Sequence, residues 1–139
     1  MLNKALALVS TVLLLMSLGF SVLGTTPLLV LKHLQPMDSR VIRQVFHYCY
    51  RIIALMALAA CLGNALEDRM GLSVYTGIMA LWVLVLHRWM LARMDALRTL
   101  MQAGDSDAVR RFRFVHALGV GMNIVLFALA IGAISQIKL

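Results

Sequence analysis

From Ala5 to Leu31 the chain carries no charged residue, and at 1.5 Å per helical residue so long an apolar run outreaches the ~30 Å hydrocarbon core of a bilayer. In lipid a backbone must satisfy its own polar groups, so a lone run of this kind has to be helical. Three later stretches have comparable length and apolarity, and together they predict spans at about 2–31, 41–66, 72–93 and 112–137. The expected fold class is therefore all-α: an integral membrane four-helix bundle, up-down-up-down, one domain over 1–139, with helices 3 and 4 extended beyond the bilayer. With 62% hydrophobic residues and a mean hydropathy of +0.89, nothing substantial is left for a soluble domain.

Local signals set the joints. Lys4 followed by an apolar run imitates a signal peptide, yet the run is too long for an h-region and lacks a clear Ala-x-Ala site, so it reads as a retained first span. Pro27, beside Gly24, Thr25 and Thr26, should kink or end helix 1. Asp38 or Ser39 is placed to cap helix 2, which runs from about Val41 to Leu66. Glu67, Asp68, Arg69 and then Gly71 form a polar break before helix 3. The spacing of Met90, Leu91, Met94, Leu97, Leu100 and Met101 carries helix 3 amphipathically to about Ala103. Gly104 then stops it, and Asp105-Ser106-Asp107 starts helix 4.

Four spans divide the 13 basic residues unequally. Lys4, Arg69 and Lys138 fall on the side of the termini. The other ten are Lys32, Arg40, Arg43, Arg51, Arg88, Arg93, Arg98, Arg110, Arg111 and Arg113, and all fall at the opposite end. In short loops this bias predicts a cytoplasmic basic end and external termini, in a bacterial inner membrane. The net charge of +7 is thus read as topology rather than as a nucleic-acid surface, because the basic residues crowd beside spans without an aromatic stacking platform. Arg88, Arg93, Arg98, Arg110, Arg111 and Arg113 form a hairpin surface for anionic lipid headgroups or a partner protein.

All four histidines also fall at the basic end. His47, His87 and His116 lie at similar depth on three helices, the arrangement from which bundles build metal or haem sites. The competing reading is that His, with Trp82, Trp89, Tyr48 and Tyr50, simply marks the membrane interface. Arg51 shares the His47 face at i,i+4 spacing, either as an anion-binding group or as a snorkelling side chain. Asn64 and Asn123 suit hydrogen bonding between helices, and Ala57/Cys61, Ala117/Gly121 and Ala128/Gly132 have the spacing of close helix contacts. Cys49 and Cys61 sit on one helix too far apart for a disulfide, and the ten methionines read as gap fillers.

Residues Met90–Arg98, a polar turn, and then Phe112-Arg113-Phe114-Val115-His116-Ala117-Leu118-Gly119 with Asn123 resemble the bacterial domain-of-unknown-function family related to eukaryotic transmembrane protein 205. Gly19-Phe20 and Thr26-Pro27 are similar to its first span. Val115, Ala117 and Gly119 stand where that family has leucine, glycine and serine. The resemblance implies four spans and adds weight to His116 and Asn123, but implies no activity.

Two functions follow as expectations. One is a small, non-enzymatic homo-oligomer or accessory subunit of a membrane complex. The other is a redox protein holding haem or a transition metal between His47, His87 and His116, with Arg51 beside them. Transport is disfavoured, since apart from Arg51 no charge lies within the spans.

Overall fold

The computed structural model describes residues 2–30 and 36–136. It contains α1 (Leu2–Thr25), a 3-10 turn (Pro27–Val30), α2 (Pro36–Ala65), α3 (Met70–Gln102) and α4 (Ser106–Ser135). Each of the four α-helices is long and apolar enough to cross a membrane. Only 33% of the residues in each apolar window are buried within the chain, and side chains such as Phe20, Leu62 and Leu81 point outward. Apolar surface on that scale needs a lipid solvent. The chain is a multi-pass membrane protein.

The helices are arranged in a ring, α1 beside α2 and α4, and α3 beside α2 and α4. Contacts at the end opposite the basic one show that neighbours are antiparallel. Asn3 Nδ2 donates to the Leu66 carbonyl at 3.3 Å, joining the start of α1 to the end of α2. Tyr75 donates to the Leu129 carbonyl at 2.9 Å, joining the start of α3 to the end of α4. Along α2 the inward face runs Ile42, Phe46, Tyr50, Ile53, Ala57 and Ala60, all fully buried, so bulk fills the basic half and small residues the other. Met79, Met90 and Met94 fill the core from α3.

Where α2 and α1 meet, they meet closely. A Cβ placed on Gly63 would lie 2.9 Å from the Ala7 Cα. Gly119 of α4 is crowded by side chains from two other helices, since a Cβ there would lie 2.5 Å from Met90 Cε of α3 and 2.8 Å from the Phe46 ring of α2. Hydroxyls on α1 fold back onto their own helix. Ser10, Thr11, Ser17, Thr25 and Thr26 all donate to carbonyls four residues earlier, at 2.6–2.7 Å, which keeps their polar groups out of the lipid.

Two joints depart from expectation. α2 begins at Pro36 rather than near Val41, with Asp38 in its first turn and not at its cap. Proline has no N–H to lose at the head of a helix and its φ is already helical, while Asp38 favours the positive end of the dipole. By length, three helices rather than two therefore accompany one another past the apolar core at the basic end.

At the α2–α3 turn, Asp68 rather than glycine takes the left-handed conformation, with φ +54. Asp68 N donates to Ala65 O and Arg69 N to Asn64 O, the paired bonds of a Schellman motif. The α3–α4 turn repeats the motif with Gly104 at φ +89, its N–H bound to Met101 O and that of Asp105 to Leu100 O. The Asp105 carboxylate then accepts from Asp107 N and Ala108 N and caps α4.

Candidate functional site

The basic end gathers its polar groups in two layers. In the outer layer, Arg43 of α2 holds Asp95 of α3 with two hydrogen bonds, Nε to Oδ1 at 2.7 Å and the terminal nitrogen to Oδ2 at 2.9 Å. Arg98 adds an ion pair to the same carboxylate at 3.8 Å and donates to the buried Ser39 hydroxyl at 3.3 Å. Asp95 is the lone acid in α3, amid arginines, and that isolation was the available signal for a clamp.

Both partners of the Arg43–Asp95 pair are about one-third to one-half exposed, so solvent screens it and the bidentate geometry supplies what stability it has. In a double-mutant cycle, Arg43→Ala and Asp95→Ala are expected to couple by about 0.5–1 kcal/mol, falling at high salt. Zero coupling in detergent at low salt would show that the pair does not hold α2 to α3.

One turn inward, His47 Nδ1 and His87 Nε2 lie 3.1 Å apart, a hydrogen bond between α2 and α3 in which one imidazole donates and the other accepts. Tyr50 stacks obliquely on His87, with ring centres 6.3 Å apart. Its hydroxyl is buried without a protein partner.

His116 does not join that pair. It is fully buried on α4, edge-on to the Phe46 ring, and its Nε2 lies 3.3 Å from the Thr25 carbonyl. The local sequence explains why that carbonyl is available. Past Pro27 the chain tightens, and Leu29 N bonds Thr26 O instead of reaching back to Thr25. His116, donating from Nε2, caps this buried end of α1.

The expected three-histidine centre is thus divided into a pair and a separate helix cap, with Phe46 against His116. Among the described residues no three His, Cys, Asp or Glu side chains converge to hold a metal ion. Arg51 is exposed on α2, at the lipid-facing surface that suits snorkelling. His33 lies outside the described residues.

Deeper in the bundle, Asn123 Nδ2 donates to Ser21 Oγ at 2.8 Å, linking α4 to α1, and Ser21 also contacts the Cys49 thiol of α2. Asn64, expected to bond between helices, instead donates to Ala60 O of its own helix at 2.8 Å. Of the small-residue pairs, Ala57/Cys61 faces inward, and the Cys61 carbonyl accepts from Ser73 of α3 at 3.0 Å. Gly121 makes no helix contact inside the chain. It is exposed with open space around it, as is Gly132, and Ala117 and Ala128 share this outer face. The close contacts are made by Gly63 and Gly119, which no spacing pattern singled out.

Arg88, Arg93, Arg110, Arg111 and Arg113 are exposed, whereas Arg98 is half-buried in the Asp95 cluster. No protein-family model, curated protein or solved structure matches this chain.

Proposed function

We propose that the protein works by association within the bilayer, as a homo-oligomer or an accessory subunit of a membrane complex, with α4 as the associating helix. The observation that carries this reading is the outward stripe of Ala117, Gly121, Ala128 and Gly132, which no helix of the same chain covers. Their 4-7-4 spacing holds one helical face, and small residues let a second backbone approach closely enough for packing to replace lipid contact. On the inward side, by contrast, Asn123, Ser73 and His116 are occupied in hydrogen bonds to neighbouring elements of the same chain. The proposal places the chain in a bacterial cytoplasmic membrane with the basic end inside and both termini outside, following the charge bias. Kinship with the four-span family related to transmembrane protein 205 belongs to the same proposal.

Gly121 and Gly132 allow a clean test, because a Cβ at either meets no atom within 4 Å and substitution leaves the monomer's packing intact. Purified in mild detergent, the wild type is expected to run as an oligomer or with a co-purifying membrane partner. The double variant Gly121→Leu/Gly132→Leu is expected to run as a folded monomer. A wild type that is monomeric and partnerless overturns the reading.

A second reading is favoured by one observation, the His47–His87 pair. Its 3.1 Å separation is close to that of two imidazoles bound to one tetrahedral metal at ~2.0–2.1 Å each, though a third ligand would have to come from elsewhere. Metal and haem analysis of the purified protein decides it: a stoichiometric metal lost in His47→Ala supports this reading, and a metal-free, haem-free wild type removes it.

A further inference from the structure

We propose that the groove between α3 and α4 at the basic end is a binding site for one anionic glycerophospholipid, seated with its phosphate on Arg93, Arg110 and Arg111. The groove has a volume of about 630 Å³ and is lined by those three arginines and by Trp89, Leu97 and Phe114 among others. Two features of the side chains point to an amphiphile.

First, the cations are available. The ion pairs among the described residues both use Asp95, with Arg43 and Arg98 as partners. The Asp105 carboxylate is occupied in capping α4. Asp107 lies one turn before Arg110 and Arg111 on α4, yet Arg93, Arg110 and Arg111 make no ion pair with an acidic side chain among the described residues, so three unpaired guanidinium groups line one cleft. Guanidinium groups bind phosphate oxygens with two parallel hydrogen bonds, and this clustering favours a phosphate over a single weak acid.

Second, the charge and the apolar wall are ordered along the membrane normal. The uncharged core of α3 ends at Leu86 with Trp89 just beyond it, and Phe114 is the first residue after the last arginine of α4, at the boundary of that helix's uncharged core. Trp is at home at headgroup depth. Arg93 is one turn farther out, about 6 Å along the helix, and its guanidinium carbon lies 6.0 Å from the centre of the Trp89 ring. A lipid entering from the bilayer meets the aromatic and aliphatic wall with its acyl chains before its phosphate reaches the arginines. A soluble anion would have no use for that wall. A peptide partner would bring the wrong order, since its acidic groups would approach from the aqueous side.

The inference rests on the reading that this end lies at a bilayer surface, but not on oligomerisation. Native mass spectrometry of the full chain, released from mild detergent with added phosphatidylglycerol or phosphatidylcholine of identical acyl chains, reads both lipid retention and oligomeric state. The expected result is one phosphatidylglycerol retained per chain, phosphatidylcholine lost, and no displacement by glycerol phosphate. Arg93→Gln/Arg110→Gln should weaken phosphatidylglycerol retention by about tenfold or more, at ~1 kcal/mol for each arginine removed. Arg40→Gln/Arg113→Gln, which removes the same charge from exposed residues at the same end but outside the groove, should leave it unchanged.

Equal loss in both double variants, equal retention of the two lipids, or displacement by glycerol phosphate overturns the site. A monomer that still retains one phosphatidylglycerol per chain would overturn the association proposal and support the groove.

Discussion

Gly63→Val is expected to lose most of the protein's folded, monodisperse fraction in mild detergent, although helix propensity alone predicts a small gain. Valine is a better helix former than glycine by a few tenths of a kcal/mol. The added Cβ, however, would meet the backbone of α1, at 2.9 Å from Ala7 Cα and 3.2 Å from Ala7 N, before its two methyl groups are counted. Nothing there can move aside. Ala7 is buried, and the Ser10 hydroxyl that completes the contact is tied to Leu6 O at 2.7 Å and Ala7 O at 3.1 Å. Overpacking typically costs ~1–3 kcal/mol, and a clash with fixed backbone belongs at the top of that range or beyond it.

Gly71→Val provides the comparison, since Gly71 lies in the first turn of α3 with no atom within 4 Å of a Cβ. It should melt within about 0.5 kcal/mol of wild type. If Gly63→Val and Gly71→Val have the same melting midpoint in a fluorescence-detected thermal scan, α1 and α2 are not in contact as described.

The second large effect is at His116. His116→Ala removes the donor to a carbonyl left behind by the break at Pro27, and an unsatisfied buried acceptor costs ~1–3 kcal/mol. It also removes the imidazole edge packed on Phe46, at a ring separation of 5.6 Å. Together these predict a loss of about 2–4 kcal/mol, read as a lower thermal midpoint and as protease sensitivity near Pro27. His47→Ala, at a half-buried site, is expected to cost less. The ranking is informative because a metal centre built on all three histidines predicts the reverse, loss of metal with the helices intact. An unchanged midpoint for His116→Ala would end the helix-cap assignment.

Much of the fold was legible because membrane solvation acts locally. The apolar run from Ala5 to Thr25 must be helical whatever surrounds it, and Gly104 followed by Asp105 stops one helix and starts the next with only the residues at hand. The α2–α3 turn was less legible. The same hydrogen-bond motif is built there on Asp68, which tolerates a left-handed backbone without advertising it as glycine does. The early start of α2 at Pro36 was masked by the helix-breaking role of proline, which does not apply at the first position of a helix.

The candidate site was legible in position but not in connectivity. Sequence alone indicated that four helices are long and apolar enough to span, that nine arginines of the described residues share one end, and that His47, His87 and His116 lie at similar depth there. It did so because depth follows from counting residues along a helix of known rise. Tertiary structure decided how each helix is turned about its axis. That rotation pairs His47 with His87, sends His116 to the Thr25 carbonyl, brings Arg43 to Asp95 across 52 residues, and turns Gly121 outward while Gly119 faces Phe46. A helix fixes the spacing of its own side chains, but which face meets a neighbour depends on how all four helices pack together.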